Sequence, residues 1–387
     1  MISVTKLLCD SNNFGDSLRY IKGAADQKYG VSEGKGPVVS WNCTKTCNLK
    51  CRHCYADADN QKHEGELTFE EAQELIRDLK EFNVPTVLFS GGEPLVRKDF
   101  FDILKYTSDI GLRSTISSNG TLINKEVSKA LKKLGVGYVG ISLDGIGSRH
   151  DEFRGVEGSF HAALQGIRNC IDINQKVGLR FTINKHNFNQ LEDIFYLIKE
   201  EKIPRVCFYH LVYSGRGTKM LEEDITKEEA RYAMDLIINK AIEFGPNTEI
   251  LTVDNHADGI YLYLQAKKKY KEKADKILNL LTVSGGNRSG IAFSNIDFYG
   301  NVHSDQFTWQ YNFGNVKTEK FSDIWSIGAH PTLESLRNRK PHLKGRCTNC
   351  KWLPQCNGNF RTRAEAVTGD FWDSDPACYL YDSEIAY

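Results

Sequence analysis

Three cysteines, Cys47, Cys51 and Cys54, form a C-x3-C-x2-C array within the short stretch "CTKTCNLKCRHCY". Thiolates select soft metals: zinc, copper(I) or iron–sulfur clusters. A structural zinc site takes four protein ligands, usually from two pairs far apart in sequence. Three thiolates on one loop instead suit a four-iron cubane with one iron left open to a non-protein ligand. Cys43 lies outside this spacing and reads as a small buried apolar residue, as do Cys9, Cys170 and Cys207.

A second knot lies near the end of the chain, where Cys347, Cys350, Cys356 and Cys378 give C-x2-C-x5-C-x21-C. Four thiolates complete either a zinc site or a fully ligated cluster, and spacing does not separate the two. The cysteine count, 11, is odd, and the first residues lack the charged-then-apolar pattern of a signal peptide. Metal ligation is therefore expected over a disulfide framework, and the cytoplasm is the expected location. With 50 basic and 50 acidic residues the formal charge is zero, so neither nucleic acid nor membrane is an expected partner.

The elements that must carry these knots alternate regularly. Strands are predicted at 37–42, 85–90, 112–117, 137–143, 178–183 and 205–211, with helices between them at 97–110, 123–134, 156–174 and 187–202. Thr68 and Glu71 form a capping box ahead of a further helical period, "FEEAQELIRDLKEF". Six strand–helix units imply a parallel sheet, and six fall short of the eight that close a full barrel. The expected fold is α/β: a partial (β/α)6 TIM-type barrel with its working groups at the strand C-termini, where the first knot falls. Thr226 and Glu229 open a helix to about 244, another is expected at 260–281, and "IAFSNIDFYGNVHSD" reads as a hairpin turning at Gly300 and Asn301. The expected division is an N-terminal extension 1–36, the barrel 37–225, a helical connector 226–290 and a cysteine-bearing domain 291–387.

The first knot, followed directly by Tyr55, resembles the signature of the radical S-adenosylmethionine (SAM) enzymes. Four further motifs occur in that family's order, each at a strand end: "SGGEP" (90–94), "SSNG" (117–120), "ISLDG" (141–145) with "HDEFRG" (150–155), and "TINKHN" (182–187). The resemblance implies a [4Fe-4S] cluster on Cys47, Cys51 and Cys54 with SAM on the open iron. It implies SAM contacts from Tyr55, from Gly91, Gly92, Glu93 and Pro94, from Ser118 and Asn119, from Ser142, Asp144 and Arg154, and from Asn184. The chemistry implied is reductive cleavage of SAM to a 5′-deoxyadenosyl radical, which removes hydrogen from an unactivated carbon. The second knot resembles the family's SPASM/Twitch extension, implying a C-terminal iron–sulfur domain. Phe360, His303 and Ser304 stand where the longer SPASM form has cysteines, so one auxiliary [4Fe-4S] cluster is implied, on Cys347, Cys350, Cys356 and Cys378.

"FGDSLRY", "YSGRG", "DNHADG", "GNRSG" and "GNVHSDQF" resemble the tetrapyrrole branch of the family. That branch implies an iron tetrapyrrole substrate, 12,18-didecarboxysiroheme, which loses two acetate arms on the way to haem b; action on its propionates towards haem d1 is the alternative. Reduced ferredoxin or flavodoxin is the implied electron donor. For such a substrate His210, His256 and His303 are candidates for iron contact or proton delivery. Arg216, with Arg288, Arg361 and Arg363, is a candidate for its carboxylates. Two rivals share the cysteine pattern: a peptide- or sulfatase-maturing enzyme, and a two-cluster electron carrier with no need of a SAM loop.

Overall fold

A computed structural model describes residues 1–326 and 330–386. Its sheet has ten strands: β1 (Ile2–Ser3), β2 (Val38–Asn42), β3 (Val87–Ser90), β4 (Ser114–Ser118), β5 (Val139–Ser142), β6 (Val177–Ile183), β7 (Arg205–His210), β8 (Glu249–Val253), β9 (Phe293–Ile296) and β10 (Val302–His303). Their order is β1-β8-β7-β6-β5-β4-β3-β2-β9-β10. Strands β2 to β8 pair parallel in chain order, the arrangement that strand–helix repeats must give. All six expected strands are present. The order never returns on itself, so the sheet stays an open, partial barrel.

Helices between successive strands bury one face each. In Phe69–Glu81, Thr68 and Glu71 complete both bonds of the capping box, and Ala72, Leu75, Ile76 and Leu79 face inward. Thr226 and Glu229 do the same for Lys227–Phe244. The stretch expected as one helix at 260–281 is two, Ala257–Lys269 and Lys271–Ser284, separated at Tyr270, whose φ of −139° lies outside the helical range.

The stretch 226–290, expected to be helical, also contributes β8, which pairs parallel with β7. The hairpin of β9 and β10 turns through Asp297–Asn301, and β9 extends the same sheet by pairing with β2. The sheet thus runs past both ends of the 37–225 stretch. Cys43, Cys170 and Cys207 are buried as expected, and half-buried Cys9 donates to Ala241 O at 3.5 Å. Among the described residues, no helix is long and apolar enough to cross a membrane.

Candidate active site

The loop after β2 carries the first knot and is gripped from three sides. Gly92 N donates to Thr44 O at 2.6 Å and Glu93 N to Thr46 O at 2.9 Å, so the turn after β3 hydrogen-bonds to the cysteine loop itself. A Cβ on Gly92 would lie 2.6 Å from Lys45 O and closer still to Thr46 O; one on Gly91, at φ +145°, would meet Thr44 O. The close approach these glycines permit is therefore to the loop backbone. On a second side, Lys50 N and Arg52 N donate to Arg154 O and Phe153 O, each at 3.0 Å. On the third, Arg216 donates from Nε to Cys51 O at 2.8 Å and from Nη1 to Ala58 O at 2.8 Å and Asp57 at 3.0 Å. Arg216 thus braces the cysteine loop and does not line the cavity, contrary to the expectation of a substrate contact.

Each sulfur faces an N–H donor. Cys51 Sγ accepts from Arg154 Nη1 at 3.3 Å, Cys47 Sγ from Leu49 N at 3.4 Å, and Cys54 Sγ from Ala58 N at 3.5 Å. Burial pushes the Cys47 thiol up to about 12 and raises Cys51 as well. Bare thiolates are costly there, whereas thiolates bound to iron, with donors already aimed at sulfur, fit the site. Among the described residues, no three His, Cys, Asp or Glu side chains gather tightly enough to hold a single metal ion.

Behind the loop, Glu93 accepts from Ser118 Oγ at 2.8 Å and Asn119 N at 2.7 Å, tying the ends of β3 and β4 together. Burial lifts its carboxyl to about 7 against these donors. Asp144 pairs with Arg154, and His53 Nε2 stands 3.7 Å from the same carboxylate. Asn184 is turned into its own turn, donating to Thr182 O and accepting from His186 N, both at 3.0 Å. It does not line the cavity, so the expected direct contact with SAM has no support from its placement.

A cavity of about 660 Å³ opens beside the loop and runs down the inside of the barrel, well within the size range of small-molecule sites. Tyr55, Ser142 and Arg154 reach it, with Ser90, and Tyr55 OH is fixed by Ser90 Oγ at 3.0 Å and Asn42 Nδ2 at 3.2 Å. Gly91 to Pro94, Ser118, Asn119 and Asp144 stand behind this wall as supports. Sequence reasoning missed His53, the residue before Cys54. Its ring lines the cavity, its buried Nδ1 has no partner, and burial lowers it to about 4. Its place inside the C-x3-C-x2-C array was the available signal.

Of the three candidate histidines, two line the cavity. His210 Nε2 sits 3.0 Å from Asp258 Oδ2; burial disfavours its charged form, but that carboxylate overrides it and the pKa is raised. His256 stacks on Phe360, its buried Nδ1 has no partner, and burial drives its pKa well below the ordinary value. His303 is a correction: Nδ1 bonds Tyr311 O at 2.8 Å, Nε2 lies 3.4 Å from Asp297, and the ring does not line the cavity. Arg361 and Arg363 are likewise internal, bonded to Asp373 O and to Asp375. Arg288 does line the cavity, while donating to Gly30 O at 2.7 Å.

The four tail cysteines line one small apolar pocket of about 30 Å³. Burial, then mutual repulsion among the four, raises Cys356 well above an ordinary thiol, so ionising the set needs compensating cations.

A model of the radical SAM superfamily matches residues 41–198. The chain is 50% identical to the Fe-coproporphyrin III synthase of Methanosarcina barkeri, an alignment covering 100% of this chain and 99% of that one. It is 42% identical to the pre-heme d1 synthase of Dinoroseobacter shibae, over 90% of this chain and 87% of that one. Among solved structures, Streptococcus suis SuiB bound to S-adenosylmethionine superposes with a TM-score of 0.71 over 90% of this chain and 78% of that one; at 18% identity this is a likeness of fold. A partial barrel with a three-cysteine loop at its strand ends, full-length similarity at this level and the matched superfamily model agree: the chain belongs to the radical SAM superfamily, as an enzyme working with a [4Fe-4S] cluster and SAM.

Proposed function

We propose that this enzyme converts 12,18-didecarboxysiroheme to iron-coproporphyrin III by removing two acetate side chains, a step towards haem b. The observation that carries the reading is the cavity of about 660 Å³, which begins beside the cysteine loop and has room for a large flat ligand. The full-length similarity to an Fe-coproporphyrin III synthase points to the same substrate class.

In this reading Cys47, Cys51 and Cys54 hold the cluster, and Tyr55, Ser90, Ser142 and Arg154 border the SAM site. When bound and reduced, the pair supplies a 5′-deoxyadenosyl radical that removes hydrogen from a side-chain carbon. Arg154 joins the two halves of the site, since it donates to Cys51 Sγ, pairs with Asp144 and lines the cavity. His256 is the better candidate for the tetrapyrrole iron, because a neutral imidazole with an unpartnered nitrogen is what an axial ligand requires. His210, whose pKa the Asp258 carboxylate raises, is placed to deliver a proton. Cys347, Cys350, Cys356 and Cys378 would hold an auxiliary [4Fe-4S] cluster, which would supply an electron acceptor. A reduced ferredoxin or flavodoxin supplies electrons to the first cluster.

Reduced holoenzyme incubated with 12,18-didecarboxysiroheme and SAM is expected to give a tetrapyrrole lacking two acetate arms, read by mass spectrometry. A product changed at its propionates supports the second reading, haem d1 synthesis, which the pre-heme d1 synthase similarity favours. An unchanged tetrapyrrole rejects both.

A further inference from the structure

We propose that the end of the barrel lumen remote from the cysteine loop is a carboxylate-binding subsite, built from Arg113, Lys176 and Arg180 with Arg205 beside them. This deepens the tetrapyrrole reading and rests on it.

The placement follows from the strands. Arg113 immediately precedes β4, Lys176 immediately precedes β6, and Arg205 opens β7, so all three gather at the N-terminal end of the parallel sheet. The cysteine loop leaves the opposite end of β2. Arg180 lies midway along β6 and donates from Nη1 to Ser117 Oγ of β4 at 2.5 Å. All four line the same cavity as Tyr55 and Arg154. At about 3.3 Å per residue the distance from Arg113 to Ser118 is roughly 17 Å along the barrel. A ligand anchored at the lower end thus presents its far edge to the SAM site.

Space for these side chains is made by glycines facing them. A Cβ at Gly137 would lie 2.6 Å from Arg113 Nη2, one at Gly140 would lie 2.8 Å from Arg180 Cζ, and one at Gly178 would lie 2.6 Å from Tyr138 OH and 2.9 Å from Arg205 Cβ. A lumen that needs only filling is packed with layers of branched apolar side chains. Here glycine opposite arginine leaves room and charge instead.

Arg205 has a shared carboxylate and Lys176 is exposed to solvent, but the half-buried Arg113 and Arg180 are uncompensated. Glu249 is shared between Arg19 at 2.8 Å and Arg205 at 3.3 Å, and Asp16 also serves Arg19. Among the described residues Arg113, Lys176 and Arg180 have no carboxylate partner. The Nε atoms of Arg113, Arg180 and Arg205 and the hydroxyl of Tyr138 are buried with no hydrogen-bond partner. Phe14 covers the Arg113 guanidinium at 3.8 Å, shielding it from water without neutralising it. Guanidinium nitrogens buried without an acceptor are costly. Carboxylate arms match the guanidinium fork in shape and sign and would supply the missing acceptors. Because the substrate carries several such arms, those seated at the lower end decide which arm reaches the SAM site.

The test uses reconstituted holoenzyme titrated with iron-coproporphyrin III, followed by absorbance, alongside the same compound with its carboxylates esterified. Arg113→Gln and Arg180→Gln are each expected to raise Kd by ~10-fold or more, the scale of a lost charge-assisted bond. Arg180→Lys, which keeps the charge and loses the fork, is expected to fall between wild type and Arg180→Gln. The ester is expected to bind wild type ~10-fold or more weakly and to lose nothing further in the variants. Unfolding midpoints and iron content matching wild type establish that each variant is folded. If wild type binds the acid while both Gln variants match it, or if the ester binds as tightly as the acid, the subsite is overturned and the function stands. A wild type that binds neither compound overturns both.

Discussion

Arg363 sets the attachment of the cysteine-rich tail to the barrel, and its removal tests that attachment. The guanidinium donates to Asp375 Oδ1 at 2.9 Å and Oδ2 at 2.7 Å, a bidentate pair whose side chains are 0% and 1% exposed. Its remaining donors reach Leu211 O, just past β7, at 3.1 Å and Asp254 O, just past β8, at 2.6 Å. Asp375 in turn accepts from Phe360 N at 3.0 Å and Ala377 N at 2.9 Å, next to Cys356 and Cys378. One side chain therefore links two strand ends to both halves of the second knot. Arg363→Met leaves the Asp375 charge buried and removes donors from two carbonyls, and breaking such a buried pair costs about 3–5 kcal/mol. Urea unfolding is expected to show a lower midpoint with little change in slope. The double variant Arg363→Met/Asp375→Asn removes the stranded charge and keeps an acceptor oxygen for one of the two N–H groups. It is expected to be the more stable of the two by ~1 kcal/mol or more, a coupling a double-mutant cycle resolves. A loss below ~1 kcal/mol in Arg363→Met, or a double variant no better than the sum of its singles, would refute the reasoning.

Three further outcomes are expected. Gly92→Ala forces Thr46 and Lys45 away from the turn after β3, so reconstituted protein should bind fewer irons and lose reductive SAM cleavage; full iron content and normal cleavage would show that the loop tolerates the shift. Asp254, buried and lifted from 3.8 to about 7, holds its proton in the folded chain at pH values where the unfolded chain has released it. Its contribution to stability is therefore greatest below about pH 4 and declines as pH rises to about 7, by up to ~4 kcal/mol. Asp254→Asn, which suits a φ of +66°, should flatten that slope and raise stability at pH 8, and an unchanged pH profile would contradict it. Cys356→Ala should lower the iron bound from about eight to about four per chain, since the tail cluster is lost alone. Zinc in the wild-type tail, or undiminished iron in the variant, would exclude an auxiliary cluster.

Much of the barrel was legible because two periods coincide with punctuation. Each of the six expected strands is a short run carrying β-branched, aromatic or aliphatic residues, and the motifs at their ends fall where Gly, Asn and Asp let the chain turn. Both capping boxes form because Thr and Glu three residues apart satisfy each other locally, whatever surrounds them. β8, "EILTV", carries the same β-branched and apolar signal as the other strands and escaped notice because it lies inside the stretch read as a helical connector. The break at Tyr270 has neither Gly nor Pro to announce it.

The site divides the same way, and arginine shows why. Cysteine spacing is covalent information, so the two knots could be read directly. Arginine type alone says nothing about direction. In the irregular tail, backbone carbonyls lack a ladder to join, and a buried carbonyl must find a donor. Arg339 serves Leu336 O, Ser289 O and Asn359 O, while Arg361 serves Phe371 O and Asp373 O; these side chains stand in for absent secondary structure. In the barrel the ladder already satisfies the carbonyls, so Arg113 and Arg180 keep free donors aimed into the lumen. The lumen's free donors thus come from arginines in or just before a strand and facing glycine, and the glycines at 137, 140 and 178 were in the sequence to be read.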